Sequence, residues 1–288
     1  MTVLVLGERG QVARAVVREA PSGRTVVSAG RDRLDLDRLG GIEAGLDALA
    51  PRVVINTAAY TDVDRAETDR DAARRLNAEA PGIVARWCAR SGARLLHVST
   101  DFVFDGSKGR PWRPADEPRP LSEYGRTKRD GEAAVLGSGA DGTVVLRTAW
   151  VYSGDGGNFV LTMLRLMRER SSVEGVVDQI GAPSHARSVA RALWRIVDRP
   201  EVDGIHHWTD AGVASRYDLA VAIMEEALAL GLLEHPVTVR PVPSEAFPAP
   251  ARRPAFSVLE IGETAAALEI EPVHWRVQLR AMLGELTV

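Results

Sequence analysis

Tyr124 and Lys128 stand four residues apart in the stretch SEYGRTKRDGE, residues 122–132, which has the pattern of a helix start. At that spacing both side chains lie on one face of a helix. A nearby ammonium favours phenolate, so Lys128 is predicted to lower the pKa of Tyr124 from about 10 toward working pH. Such a phenol can give a proton to a carbonyl oxygen while hydride adds to its carbon. A Tyr-x-x-x-Lys match is weak alone, because such pairs also occur by chance on helix surfaces.

A second group suited to the same chemistry ends the apolar run LLHVST, residues 95–100. Ser99 or Thr100 would bring a hydroxyl to the carboxyl end of a buried strand, where it could polarise the same carbonyl. In open α/β sheets, ligands bind at that edge. The tyrosine, the lysine and this hydroxyl therefore predict one site where two elements meet.

The N-terminal run VLVLGERGQVARAV has the form of a phosphate-binding loop between a strand and a helix. Gly7, Gly10 and Ala13 give the small residues needed for a tight turn and for close approach of the backbone to a pyrophosphate. The N–H groups of Gln11 and Val12 would then point at the phosphates. A tight turn without ligand has the same glycines, but the position after the first strand favours a dinucleotide.

The type of dinucleotide depends on the residues after the second strand, in AGRDRLDLD. Arg31 is well placed for a 2′-phosphate, and Asp35 could reach the adenosine. The sequence therefore favours NADPH, and NADH stays open. After the third strand, Ala58 and Ala59 would let the cofactor lie against the backbone. Asn77 could face the cofactor or be a helix surface amide, and the sequence favours the surface amide.

The elements that must position these groups alternate between strand and helix. Apolar runs at 2–6, 25–29, 53–56, 95–99 and 143–147 predict buried strands, and helices are predicted at 11–20, 69–90, 123–136, 158–170, 185–198 and 216–230. Prolines predict an irregular loop over 240–256. This order indicates an α/β, Rossmann-type, doubly wound parallel sheet with a smaller C-terminal substrate-binding domain. We expect an NAD(P)-binding domain over 1–149, to which segment 173–208 returns, and a mainly substrate-binding domain over 150–288.

Bulk composition excludes several classes of partner. The 288 residues carry a net charge of −3 and 26% charged residues, which gives no reason to expect nucleic acid or an anionic membrane. The single cysteine, Cys88, forbids an internal disulfide, and neither a signal peptide nor a membrane span is predicted. A cytoplasmic location is expected.

Eight segments carry a family pattern: GERGQVA (7–13), INTAAYTDVDRAE (55–67), STDFVFDG (99–106), YGRTK (124–128), LRTAWVY (146–152), GNFVLTML (157–164), VVDQIGAPS (176–184) and ARRPAFSVL (251–259). On these motifs the chain resembles the extended short-chain dehydrogenase/reductase superfamily, and within it the dTDP-4-dehydrorhamnose reductase family. The resemblance implies NAD(P)H-dependent reduction of the C4 keto group of dTDP-6-deoxy-4-keto-L-mannose to dTDP-L-rhamnose.

Three sets of site residues follow when the motifs are carried over together with the loop analysis above. The catalytic set is Thr100, Tyr124 and Lys128. The cofactor set is Gly7, Gly10, Gln11, Val12, Arg31, Asp35, Leu36, Ala58, Ala59, Tyr60, Thr61, Tyr124 and Lys128. The substrate set is Thr100, Asp101, Phe102, Tyr124, Trp150 and Arg253, in which the Arg253 guanidinium would meet the nucleotide diphosphate.

Ala15 departs from the family pattern. Some members carry a glutamate there that helps to bind Mg²⁺ at a dimer contact, so we expect no structural metal, and both monomer and homodimer stay open. Other mild departures are Phe102 in place of tyrosine and Thr127 in place of serine.

Alternative functions share the same scaffold. A 4,6-dehydratase is disfavoured, because it needs Asp-Glu after the threonine, where this chain has Asp101 and Phe102. Epimerases match the later motifs poorly. Reduction of another dTDP-4-keto-6-deoxyhexose stays open. So does a non-catalytic NADP-binding role like that of the regulatory subunit of methionine adenosyltransferase, since fold alone does not establish function.

Overall fold

Strands and helices alternate through the first half of the computed structural model, which describes residues 1–287. The strands are β1 (Thr2–Leu6), β2 (Thr25–Ala29), β3 (Val53–Asn56), β4 (Arg94–Thr100), β5 (Val144–Thr148), β6 (Val151–Tyr152), β7 (Ser172–Val176), β8 (Ile180–Gly181), β9 (Ser184–His185), β10 (Gly204–His207), β11 (Ala214–Ser215) and β12 (Thr238–Val242). The α-helices are α1 (Gln11–Arg18), α2 (Ile42–Leu49), α3 (Arg70–Arg74), α4 (Ala80–Ser91), α5 (Glu123–Leu136), α6 (Phe159–Glu169), α7 (Ala186–Val197), α8 (Arg216–Ala229), α9 (Gly262–Leu268) and α10 (Trp275–Gly284).

Six strands form one parallel sheet in the order β10-β5-β4-β3-β1-β2. Val3 and Val5 pack on one face with residues of α1 and α7, and Leu4 and Leu6 pack on the other face with residues of α2 and α4. All four are fully buried. A parallel sheet covered on both faces requires such continuous apolar strands. The predicted Rossmann-type α/β fold is confirmed.

The second half of the chain contributes to the main sheet and also builds a further core. β10 pairs with β5 in parallel, and α7 packs against α1. Apolar residues of α6, α8 and α10 pack together beside the parallel pair β7–β12. A cavity of about 710 Å³, lined in part by Phe159, Met163 and Val173, opens beside this core.

Two element predictions differ from the structure. The predicted helix over 69–90 is α3, then a π-helical turn over Arg75–Glu79, then α4. The loop predicted over 240–256 is wrong for its first three residues, which complete β12 with Pro241 inside the strand. Proline is tolerated there because β12 lies at the edge of a two-stranded sheet.

Across residues 1–287, the helices include none with the length and apolar character needed to cross a membrane.

Candidate active site

A cavity of about 400 Å³ lies at the carboxyl ends of β1, β2 and β3. Gly7 leaves β1 with a φ of +96°, and a Cβ built there would lie 2.8 Å from the Ala58 nitrogen. The turn therefore needs glycine, both for its backbone conformation and for the close approach to the strand-end backbone. Eight residues of the predicted cofactor set line the cavity: Gly7, Gly10, Arg31, Asp35, Leu36, Ala58, Ala59 and Thr61.

The charges at the rim of this cavity come from the segment after β2. Arg31 has a side chain 79% exposed, and its guanidinium lies 3.4 Å from the Asp37 carboxylate. Asp35 accepts a hydrogen bond from the Asp37 N–H at 3.1 Å. Arg31 is therefore held loosely enough to turn toward an anion at the rim.

Five residues of the predicted cofactor set lie away from the cavity lining, and two of them, Tyr124 and Lys128, are on α5. The Gln11 Oε1 accepts hydrogen bonds from Ser153 and Asn158, both at 2.9 Å, so this side chain joins α1 to the segment after β6. Tyr60 donates its hydroxyl to Asp69 at 3.1 Å. Val12 packs against the core on the α1 side of the sheet.

Tyr124 and Thr100 are brought together where β4 ends and α5 begins. Ser122 caps α5 by accepting a hydrogen bond from the Gly125 N–H at 3.2 Å, which starts the helix at the predicted residue. The Phe102 and Tyr124 rings meet edge to face with centroids 5.7 Å apart. The Thr100 side chain lies near enough to the phenol to affect its pKa. The phenol and the hydroxyl therefore lie at one point of the sheet edge.

Burial changes the acidity of the phenol and of the ammonium in opposite ways. It raises the pKa of Tyr124 to about 12, with a smaller opposing effect of the Thr100 side chain. Burial lowers the pKa of Lys128 to about 8. The prediction that Lys128 lowers the pKa of Tyr124 is wrong for this structure, because desolvation dominates. The Lys128 ammonium donates instead to the Val98 carbonyl at 2.8 Å.

Close backbone contacts fix α5 against the rest of the site. A Cβ at Gly125 would overlap the Phe102 carbonyl oxygen, and one at Gly131 would overlap the Asn77 carbonyl oxygen. Both glycines are in the stretch that drew attention to the tyrosine, so they are a signal that the sequence interpretation missed.

Asn77 is fully buried, so its prediction as a surface amide is wrong. Its Oδ1 accepts from the Tyr60 N–H at 2.8 Å, and its Nδ2 donates to the Thr127 hydroxyl at 3.1 Å. The π-helical turn that carries Asn77 directs it inward, and such turns are frequent at functional sites.

A second cavity, the arginine-lined cavity, has a volume of about 710 Å³. Arg170, Arg216 and Arg253 line it together with one acidic residue, Glu174. Arg253 donates to the Asp64 carboxylate at 2.7 Å. Arg253 was among the predicted site residues, whereas Arg170 and Arg216 were not. The excess of guanidinium groups suits an anionic ligand.

Arg216 and Trp150 form a stacked pair beside this cavity. The Arg216 guanidinium lies 3.5 Å from the centroid of the Trp150 ring. Burial lowers the pKa of Arg216 to about 10. Trp150 has a φ of +47°, a conformation that a bulky residue adopts only where its surroundings hold it. A Cβ at Gly181 would lie 2.5 Å from the indole, so this glycine makes room for the ring.

Asp101 connects the phenol to the stacked pair. It is 2% exposed, and burial raises its pKa to about 6. Its Oδ1 accepts a hydrogen bond from the Thr100 hydroxyl at 3.0 Å. Its charge acts on both Tyr124 and Arg216. Asp101 therefore links the phenol electrostatically to Arg216, which lines the arginine-lined cavity.

Two buried hydroxyl oxygens near the ends of β4 and β5 lack a hydrogen-bond partner among residues 1–287: Ser99 Oγ and Thr148 Oγ1. Unsatisfied buried polar atoms are rare and indicate a place where a polar ligand group fits. Within the same residues, there is no group of three or more His, Cys, Asp and Glu side chains that could hold a metal ion.

Sequence and structure comparisons find related proteins that match this chain over nearly its whole length. The family model described as RmlD substrate binding domain matches residues 1–288. A dTDP-4-dehydrorhamnose reductase of Burkholderia thailandensis is 39% identical over 296 residues, covering 99% of each chain. A probable dTDP-4,6-dihydroxy-2-methyloxan-3-one 4-ketoreductase of Streptomyces antibioticus is 43% identical over 264 residues, 90% of this chain and 86% of that one. The crystal structure of dTDP-4-dehydrorhamnose reductase from Bacillus anthracis in complex with NADP has a TM-score of 0.92 at 29% identity and covers 99% of each chain.

Proposed function

This chain belongs to the RmlD substrate binding domain family of reductases, and we propose that it carries out NADPH-dependent reduction of the C4 keto group of dTDP-6-deoxy-4-keto-L-mannose to dTDP-L-rhamnose. The family predicted from the motifs and the oxidoreductase class are confirmed. The observation that carries the proposal is the meeting of Tyr124 and Thr100, which Asp101 links electrostatically to Arg216 in the arginine-lined cavity.

The cavity at the ends of β1–β3 fits a dinucleotide. Gly7 and Gly10 allow a pyrophosphate to approach the backbone at the start of α1, where N–H groups point outward. Arg31 would pair with the 2′-phosphate of NADPH, which supports that cofactor over NADH. The unsatisfied hydroxyls of Ser99 and Thr148 lie farther along the same edge of the sheet, near the ends of β4 and β5. When bound, the reduced nicotinamide supplies the hydride.

The chain's own residues would handle the proton. The raised pKa of Tyr124 keeps the phenol protonated at neutral pH, as a proton donor to the developing alkoxide must be. Thr100 would donate a hydrogen bond to the same oxygen. The positive charge of Lys128, one helical turn away, favours the phenolate that remains after transfer.

The arginine-lined cavity would hold the sugar nucleotide. Arg253 and Arg216 would neutralise the diphosphate, and Trp150, Asp101 and Phe102 would border the sugar. Arg253 is paired with Asp64, so substrate binding would exchange that carboxylate partner for phosphate oxygens.

This division of roles supports a division of the chain. We assign NAD(P) binding to residues 1–149 with the returning segment 173–208, and substrate binding mainly to the rest of 150–288. The pairing of β10 with β5 supports the return of that segment.

A second candidate differs only in the sugar. The 43% identity to a probable ketoreductase of another dTDP-linked deoxyhexose favours reduction of a different dTDP-4-keto-6-deoxyhexose. Both candidates use the same proton donor.

The test compares oxidation of NADPH by wild type and by Tyr124→Phe, with each keto sugar nucleotide as substrate. We expect the variant to lose at least about 10²-fold in turnover, the usual contribution of a positioned acid, while NADPH binding is retained. Tyr217→Phe, on α8, is the matched control and should keep wild-type turnover. Absence of wild-type turnover with either sugar would refute the proposal. Loss of NADPH binding in Tyr124→Phe would refute the role of the phenol.

A further inference from the structure

A buried histidine that the proposed reaction does not use lies against Lys128. His97, on β4, is 0% exposed, and its Nε2 lies 3.4 Å from the Lys128 Nζ. Its Nδ1 lies 3.1 Å from the Asn56 Nδ2. Asn56 is the residue opposite His97 in the pairing of β3 with β4, so the sheet register places this contact.

Asn56 decides which ring nitrogen of His97 carries the proton. The Asn56 Oδ1 accepts a hydrogen bond from the Ala58 N–H at 3.1 Å, so the amide nitrogen must be the atom that faces His97. An amide nitrogen only donates. Nδ1 therefore accepts, and the neutral ring carries its proton on Nε2. Burial and the charge of Lys128 hold the pKa of His97 well below its usual value, so the ring is neutral.

The fixed tautomer points an N–H at the lysine. An ammonium has donors only, whereas a neutral amine has a lone pair that accepts from the His97 Nε2–H. The contact therefore favours the uncharged form of Lys128. Burial acts in the same direction, and Glu132, one turn along α5, acts in the opposite one. Burial, opposed by Glu132, lowers the pKa of Lys128 to about 8, close to working pH.

We propose that Asn56 and His97 set the protonation state of Lys128 through this fixed tautomer. In its neutral form the Lys128 amine accepts a hydrogen bond from the His97 Nε2–H. His97 is thus a positioning residue that acts through Lys128. The expected effect of His97 on turnover rests on the proposed function, whereas its effect on the protonation of Lys128 does not.

The composition of the chain allows a direct measurement. Lys108 and Lys128 are its only lysines, so protein labelled with ¹⁵N-lysine gives two side-chain signals. Lys108 forms an ion pair with Asp116 and serves as the internal reference. We expect the Lys128 signal of the wild type to titrate near pH 8. His97→Gln can turn its carbonyl oxygen toward the ammonium, so its Lys128 midpoint should rise by about one unit. His185→Gln, at a buried histidine on β9 that stacks on Tyr152 instead, is the matched control and should leave the midpoint unchanged.

A double-mutant cycle separates an effect of residue 56 that passes through the His97 ring from a direct effect of its charge on Lys128. Asn56→Asp would accept from Nδ1–H and so turn Nε2 into an acceptor, which raises the Lys128 midpoint. If the effect passes through the ring, Asn56→Asp has a smaller effect in the His97→Gln background than in the wild type. Equal effects in both backgrounds, or an unmoved midpoint in His97→Gln, would overturn the inference.

Turnover provides the second readout. The high-pH limb of keto sugar reduction should move upward in His97→Gln by the same amount as the Lys128 midpoint, and a limb that stays in place would overturn the role in turnover. If the Lys128 midpoint moves while the wild type reduces no keto sugar, the proposed function fails and the tautomer control of Lys128 stands.

Discussion

Replacing Gly125 by alanine tests how tightly α5 must be held for catalysis. The added Cβ would overlap the Phe102 carbonyl oxygen and would lie 2.9 Å from the Cβ of Pro120. Neither neighbour is a flexible side-chain end, so the helix start must move away from the turn that carries Thr100. The movement needed to restore normal contact is on the order of 1 Å, and a misplacement of that size costs about 10²-fold in rate.

The free energy of unfolding should change much less than the rate. Overpacking costs about 1–3 kcal/mol, and alanine recovers up to about 1 kcal/mol of helix propensity relative to glycine. We therefore expect Gly125→Ala to remain folded, with a net loss of about 0–2 kcal/mol and a lower urea midpoint. NADPH binding should be nearly unchanged, because the cavity at the ends of β1–β3 does not include Gly125.

The assay is single-turnover reduction of the keto sugar nucleotide, with urea unfolding and NADPH titration on the same samples. Gly40→Ala is the matched control, since a Cβ there meets nothing within 4 Å. Wild-type single-turnover rates in Gly125→Ala would show that the contact with Phe102 does not position Tyr124. If the variant unfolds, Gly131→Ala tests the same helix from its contact with Asn77.

Three further predictions concern the ion pair, the sugar site and the cofactor. Glu132→Gln removes the partner of Arg147 in a buried pair with a 2.7 Å contact, and should lower the free energy of unfolding by about 3–5 kcal/mol, measured in urea. Gly181→Ala should displace the Trp150 indole and raise the KM for the sugar nucleotide about tenfold, with the KM for NADPH unchanged. Arg31→Ala should raise the KM for NADPH about tenfold and leave that for NADH unaltered, because it removes one ion pair with the 2′-phosphate.

Each of these has a control in the same chain. Glu117→Gln breaks an exposed pair with Arg119 and should leave the urea midpoint in place, so an equal loss in both variants would contradict the argument from burial. Gly41→Ala, where a Cβ meets open space, should not change the KM for the sugar nucleotide. Arg33→Ala should not distinguish the two cofactors; the same selectivity change at Arg33 and Arg31 would argue against a specific 2′-phosphate contact.

The sequence predicted most accurately the elements whose bounds depend only on neighbouring residues. β1, β2, β3 and α5 have the predicted bounds, because apolar runs and the cap at Ser122 depend on neighbouring residues. Pro241 shows the limit, since its place in a strand depends on β12 being an edge, which is a property of the sheet.

The candidate site likewise has features that the sequence predicts and features that it does not. The glycine loop and the tyrosine–lysine spacing are readable because they are short and contiguous. The burial of Asn77 and the stacking of Arg216 on Trp150 depend on contacts between segments far apart in the chain. The predicted direction of the change in the pKa of Tyr124 was wrong for a related reason. Desolvation raises this pKa, and it depends on all the residues that surround the ring.

The position of β10 limits how this architecture can be divided or recombined. A fragment that ends at residue 149 lacks the strand that covers β5, so it exposes a buried strand as a new sheet edge, which promotes aggregation. The part that we propose to bind substrate therefore cannot be exchanged as a simple C-terminal module. New specificities in that part would have to arise by changes within the segments before and after β10, while the strand itself is kept.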